Sequence, residues 1–306
     1  MTQNTIENFP SCPVCSSDSW TKSYTGAVRV GKGLSKDSEV RKCSTCGLER
    51  LSERDCFQEE DYQSAEYRVS LEQGHEVSKH FEEHDELVRF TMEAIWPTSL
   101  RNLSVADIGC GPGTFLDHIS GVAKDLLAVE PNEIFSKSLK DRGYSWHPST
   151  ADAGATRKGE LDFVFSNQVI EHVDDPEQFL NDIYDMLKVG GKAMISTPNQ
   201  QDILMELLPE AFPAFFYRVH HRWYFNGENL RALAEKVGFK CEKIKYIHRY
   251  GISNTMHWLK NKKGCGRSNM PPFDDTMDEL WASWLNKTGR ADNIFILLEK
   301  RNPKDV

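Results

Sequence analysis

Asp107, Gly109, Gly111 and Gly113 stand at alternate positions in Val105–Phe115, where a short apolar run passes through three glycines into a helix-compatible segment. Without Cβ atoms, and with little penalty for positive φ, such a loop lets backbone approach a bound ligand closely. A dinucleotide loop would read G-x-G-x-x-G. Here Thr114 holds that last position, the third glycine comes one residue early, and an acidic residue precedes the series. The apolar run Asp125–Val129 then ends in Glu130, 21 residues beyond Gly109. A carboxylate at the carboxyl end of a strand in an open α/β sheet can accept hydrogen bonds from both hydroxyls of a ribose. The two segments together read as a nucleoside-cofactor site.

A second chemistry lies upstream. Cys12 and Cys15, then Cys43 and Cys46, form two C-x2-C knuckles separated by 27 residues. Two such turns present four thiolates to one ion, the donor set of a structural zinc ribbon, which leaves no coordination position open for catalysis. The expectation is a metal that holds residues 1–50 together and takes no part in the reaction. Cys56, Cys110, Cys241 and Cys265 lack partners at comparable spacing.

Three histidines are candidates for proton transfer. His172 follows the apolar run Leu161–Asn167, and His220 and His221 lie in Tyr217–Phe225 just ahead of a helix-period segment. Imidazole is the side chain whose ordinary titration falls nearest neutral pH.

These residues must be positioned by an alternation of short apolar runs and helix-period segments, which argues for a parallel sheet with crossover helices. After Pro176, with Asp174 or Asp175 as cap, Phe179, Leu180, Ile183, Met186 and Leu187 share one face before Gly190. A second helix is expected over 228–237, stopped by Gly238. Val77, His84, Leu87, Val88, Thr91 and Ile95 recur at roughly helical spacing up to Pro97. They suggest a helix packed over the cofactor site; Tyr62 and Tyr67 are candidate lid residues, with an amphipathic linker as the more economical account. Runs 240–250 and 293–299 read as two late strands.

The D-x-G-x-G-x-G spacing resembles the cofactor loop of class I S-adenosylmethionine-dependent methyltransferases. The stretch Glu171–Pro176 is similar to the E-H-V-x-D-P segment after the fourth strand in their small-molecule branch, and Val189–Asn199 resembles the strand start that follows. The segment bearing His220 and His221 is similar to one found in sugar methyltransferases with an N-terminal zinc domain. The resemblance covers residues 101–250 and implies a Rossmann-like α/β sheet with an antiparallel pair of late strands at its edge. It implies that Gly109, Gly111 and Gly113 approach the cofactor, Asp107 orients its amino group and Glu130 binds ribose. It places Asp152 near the adenine amino group, Asn167 near the methionine carboxylate, and His172, His221 or His220 as the base. The division expected is 1–55 zinc ribbon, 56–100 acidic helical linker or lid, 101–250 catalytic domain, 251–290 insertion or substrate lid, and 291–306 final strand and tail.

The 306 residues carry a formal net charge of −9, unevenly spread. Residues 51–86 hold twelve acidic side chains against three basic ones, whereas residues 214–267 hold twelve basic against three acidic. The basic stretch suggests an entrance that attracts an anionic small molecule, such as a nucleotide- or lipid-linked sugar or a surface glycan precursor. RNA methylation is the alternative use of that stretch, and a non-catalytic zinc-dependent binding protein is a second. The ribbon argues against nucleic acid, with only seven basic and five acidic residues in 1–50. No apolar run reaches the roughly 18 residues of a membrane span, and no basic-then-apolar leader opens the chain, so a cytoplasmic location is expected. The acceptor, the methylated element and the oligomeric state stay open.

Overall fold

The computed structural model describes residues 9–31, 34–58, 61–62, 77–268 and 270–302. Tyr67 lies outside them. The strands are β1 (Trp20–Gly31), β2 (Leu34–Cys43), β3 (Glu49–Leu51), β4 (Ser104–Ile108), β5 (Asp125–Val129), β6 (Ser145–His147), β7 (Leu161–Asn167), β8 (Leu187–Pro198), β9 (Trp223–Tyr224), β10 (Phe239–Ile247) and β11 (Asn293–Lys300).

Seven of them form one sheet in the order β10-β11-β8-β7-β4-β5-β6. β6, β5, β4, β7 and β8 pair in parallel, whereas β11 runs antiparallel to both β8 and β10. The fold is therefore a Rossmann-like α/β sheet with antiparallel late strands, as expected. The parallel strands are buried on both faces, which is why they read as continuous apolar runs rather than as alternation. In β7, Leu161 and Val164 enter one core while Phe163 and Phe165 enter the other.

The helices Pro176–Met186 and Gly227–Val237 cover the first face with Phe179, Leu180, Ile183, Leu230 and Leu233. Asp175 is the cap of the former, accepting from the Glu177 and Gln178 N–H groups at 3.0 Å. That helix stops at Met186, earlier than expected, because Leu187 turns to extended backbone and begins β8. Gly238, at φ +113°, ends the second helix as its sequence suggests. The opposite face is covered by Val88–Ile95 and Thr114–Ile119.

β1, β2, β3 and β9 form a second, antiparallel sheet. Its fourth strand comes from far along the chain, with Glu49 opposite Tyr224 and Arg50 opposite Trp223. The Tyr217 hydroxyl donates to Glu49 at 2.8 Å, and Arg222 bridges Glu53 and Asp174. A third apolar core joins Val28, Val40 and Leu51 to Leu204, Phe212, Phe216, Val219 and Tyr224. The cysteine-bearing hairpin is thus sewn onto the segment around β9 by backbone, polar and apolar contacts. Residues 251–290 supply two helices, Ile252–Asn261 and Asp275–Thr288.

Candidate active site

The sheet order reverses between β4 and β7, and the carboxyl ends of strands at such a point form a ligand crevice. A cleft of about 1300 Å³ opens there. Gly109 leaves β4 at φ +71°, where an added Cβ would lie 2.4 Å from Val169 Cγ2. Gly113 caps the next helix at φ +91°, where a Cβ would meet Leu139 at 2.8 Å. The glycines therefore serve local packing as well as access to a ligand. Glu130, at the end of β5, is tied to this loop. The Gly111 N–H donates to its Oε2 at 2.8 Å and the Asn132 N–H to its Oε1 at 2.9 Å. Asp107 is buried at the same point, where desolvation and then the Glu130 charge push its carboxyl up to about 8. Asn167 accepts at Oδ1 from Thr91 and Ser196, at 3.3 and 3.2 Å. Among the described residues its amide nitrogen makes no hydrogen bond.

Asp152 does not line the cleft. It is exposed in the first turn of helix Thr150–Arg157, receiving the Ser149 hydroxyl at 2.7 Å, while its N–H donates to Ser149 Oγ at 3.1 Å. An acidic residue three places after a serine cap is drawn into the cap itself. The wall here is made by Pro148, Ser149, Thr150 and Ala151.

The three histidines converge. His172 Nδ1–H donates to the His220 carbonyl at 2.5 Å, and the Tyr62 hydroxyl donates to the same carbonyl at 2.7 Å. That bond fixes the tautomer with the lone pair on Nε2. The His221 ring meets His172 edge-on with centroids 4.8 Å apart. Burial, with His172 adding, takes His221 well below its ordinary value, and burial with Arg218 takes His220 down to about 4. The His220 ring packs on Phe57 at 4.3 Å. Glu171, unassigned in the sequence reading, has Oε1 4.0 Å from His172 Nε2 and accepts from Thr197 at Oε2. Burial pushes its carboxyl up to about 8. Glu171, His172 and His221 offer ligand atoms within 4.8 Å of one another, so a cation could also be held here.

Beyond the histidines, the cleft is walled by Phe212, Phe215, Phe216 and Trp258, with Arg29, Arg218 and Arg249 among them. The basic stretch is thereby resolved. Arg222 pairs with Glu53 and Asp174, Lys236 with Glu177, Arg231 with Glu228 and Arg267 with Glu86 of the acidic segment. Arg249 reaches the cleft but is paired with Asp292 at 2.7 Å.

A methyltransferase-domain family profile matches residues 79–244, more than half of the chain. The chain belongs to the class I S-adenosylmethionine-dependent methyltransferase family. It is similar to the mitochondrial ubiquinone biosynthesis O-methyltransferase of Rattus norvegicus, 22% identical over 178 residues that cover 53% of this chain and 51% of the relative. It is 31% identical over 123 residues to the ubiquinone biosynthesis O-methyltransferase of Caulobacter vibrioides, 37% of this chain and 48% of that one. The chain spans about half the length of these relatives. A chain from the solved complex of the Haloferax volcanii Trm112 methyltransferase activator has the same fold, with a TM-score of 0.50, 12% identity, and coverage of 73% of this chain and 94% of its own.

This methyltransferase carries its four N-terminal thiols as a cluster, all within 4.8 Å of one another. Cys12 and Cys46 are 3.5 Å apart at sulfur, as are Cys15 and Cys43. Thiolates bound tetrahedrally at ~2.3 Å from one ion lie about 3.8 Å apart, so the donor set fits zinc. Of the other cysteines, Cys56 and Cys110 are buried and Cys241 and Cys265 partly so, all as free thiols.

Sequence reasoning missed Arg29 and Glu171. Glu171 sat inside a quoted motif and could have been found by asking what faces His172. Arg29 carries no motif, and only the docking of the hairpin reveals it.

Proposed function

We propose that this chain transfers a methyl group from S-adenosylmethionine to a polar, anionic small molecule, of which a nucleotide- or lipid-linked sugar or a glycan precursor is the leading class. The observation that carries the reading is one continuous cleft with a glycine-and-carboxylate half at the strand ends and an arginine-bearing half beyond His172. When bound, S-adenosylmethionine supplies a methyl group activated by its sulfonium. The chain's own residues do the rest. Gly109 and Gly111 clear space for the cofactor, Glu130 accepts from ribose, Asp107 lies at the amino end, and Asn167 donates toward the carboxylate. Alignment of acceptor and methyl donor can supply roughly 7–11 kcal/mol in the most favourable cases. His172 Nε2 takes the acceptor's proton, with the Glu171 carboxyl 4.0 Å from that nitrogen. The four-cysteine cluster holds a structural zinc. We place the ribbon at 1–55, the helical cover at 56–100, the cofactor domain at 101–250 and the helical insertion at 251–290.

A second reading is O-methylation of a phenol, favoured by the aromatic wall Phe212, Phe215, Phe216 and Trp258 and by the names of the relatives. Incubation with methyl-labelled S-adenosylmethionine and a cell extract separated into glycan, small-molecule, lipid, protein and nucleic-acid fractions tests both. Label in nucleotide- or lipid-linked sugars that disappears with Glu130→Ala supports the first. Label in phenolic lipids supports the second, and label confined to RNA overturns both.

A further inference from the structure

Arg29 belongs to the cysteine-bearing hairpin and Arg218 to the segment before β9, 189 positions apart in the chain, yet they are opposite one another in an isolated parallel bridge. The Arg29 N–H donates to the Tyr217 carbonyl at 2.9 Å and the Val219 N–H donates to the Arg29 carbonyl at 3.1 Å. Partners in such a bridge project their side chains to the same side of the ladder. Both side chains accordingly line the cleft and lie against one ring, with guanidinium carbons 4.2 Å and 6.0 Å from the Phe215 centroid.

Among the described residues neither has a carboxylate at ion-pair distance, and Arg218 Nε is buried without a hydrogen-bond partner. The charged groups around them do not neutralise them. Arg249 is a third cation already matched by Asp292. Glu171 also faces Arg218, but its Oε2 accepts from Thr197, and among the described residues it forms no ion pair with either arginine. Each arginine feels its burial, and Arg29 also feels Arg218, which bring the Arg29 guanidinium down to about 9. Two half-buried cations side by side with no counter-charge are costly unless a ligand supplies one.

We propose that Arg29 and Arg218 form a two-guanidinium clamp for the diphosphate of the acceptor, with the ribbon hairpin supplying one of its two arms. The clamp rests on reading this cleft as the acceptor site. Charge decides the ligand class. A carboxylate neutralises one guanidinium, whereas a diphosphate diester brings one negative charge for each. Planar guanidinium forks match phosphoryl oxygens in bidentate fashion, which an ammonium cannot do. The hairpin is therefore part of the substrate site, and its docking onto β9 positions a specificity residue.

The test is calorimetric titration of the full chain with inorganic pyrophosphate, acetate as a monoanionic control, and S-adenosylhomocysteine separately. Pyrophosphate should bind and acetate should not. Arg29→Ala and Arg218→Ala should each weaken pyrophosphate by about tenfold or more, with Arg29→Lys and Arg218→Lys in between, while S-adenosylhomocysteine binds all variants as it does the parent. Retained S-adenosylhomocysteine affinity shows that a variant is folded. Parent protein that ignores pyrophosphate, or alanine variants that bind it as the parent does, overturns the clamp. Failure of S-adenosylhomocysteine to bind the parent overturns the methyl-transfer reading instead. The pyrophosphate titration, run without it, still decides the clamp.

Discussion

Glu130 and Gly111 are joined directly, the backbone N–H of the glycine donating to the carboxylate at 2.8 Å across the gap between β4 and β5. With the Asn132 N–H on the other oxygen, the acidic strand end and the glycine loop form one unit. If Glu130 binds the cofactor ribose as proposed, the ribose would meet a carboxylate already held in place, leaving little ordering for binding to impose.

Glu130→Gln tests that unit. The amide can still accept one N–H but turns its NH2 toward the other, leaving a buried donor facing a donor. The cost of one lost charge-assisted bond plus an unsatisfied group is about 1–3 kcal/mol. S-Adenosylhomocysteine affinity should fall by roughly tenfold or more by calorimetry. Unchanged affinity would remove Glu130 from the cofactor site.

Gly109→Ala should destabilise the fold by about 1–3 kcal/mol, through both an unfavourable φ and a contact with Val169. The double variant Gly109→Ala/Val169→Ala separates the two causes. It removes the collision and leaves the backbone strain, so chemical denaturation should show only partial recovery. Full recovery would mean that the glycine is there for packing alone.

The Asp107 carboxyl gives a pH prediction with a definite sign. Its folded value, about 8, lies above the ordinary carboxylate value of 3.8. The protonated form is therefore favoured by folding, and its stabilisation is complete below the unfolded value and lost as pH rises through about 8. Denaturation midpoints between pH 4 and 8 should decline less steeply in Asp107→Asn than in the parent. The cofactor's ammonium group should favour the ionised form, so binding near pH 7 should release protons, detectable in buffers of different ionisation enthalpy. Proton uptake would contradict this assignment.

His172 and His220 should separate by readout. The His220 ring packs on Phe57, and its part in the site is played by its carbonyl, which His220→Ala keeps. His172→Ala should lower kcat by about 10²- to 10⁴-fold on a hydroxyl acceptor with cofactor affinity preserved. His220→Ala should chiefly lower Tm. Equal kcat losses in both would show that the geometry around Nε2 of His172 is not what drives proton transfer.

The parallel sheet and the glycine loop could be read from the sequence because the signals are local. Leu161–Asn167 is apolar throughout since both of its faces are buried, and Gly109 is required by its own backbone and its neighbour Val169. The rest depends on distant pairings. β9 is only two residues long and has no periodicity, yet it anchors the ribbon sheet. Asp152 looked available because its sequence position suits a cofactor contact, but Ser149 captures it at a helix start. The twelve cations of 214–267 read as one surface, but of them only Arg218 and Arg249 line the cleft, while Arg222, Arg231, Lys236 and Arg267 pair with carboxylates elsewhere.

That docking changes what metal removal should do. Were residues 1–50 a tethered tail, stripping the cysteine cluster would leave the catalytic half unaffected. Instead Arg29 hangs from the β1–β2 hairpin, Glu49 holds Tyr217, and Leu51 N–H donates to the Arg222 carbonyl at 3.0 Å. Thiolate–metal bonds contribute folding free energy directly. The purified chain should contain one zinc per molecule by elemental analysis, and Cys43→Ser should lower both that content and Tm. Pyrophosphate binding should weaken along with zinc loss, whereas S-adenosylhomocysteine, proposed to bind at the ends of β4 and β5, should be held nearly as before. If both ligands weaken together, the ribbon supports the whole fold. If neither does, the hairpin keeps its place without metal, and the cysteines serve another purpose.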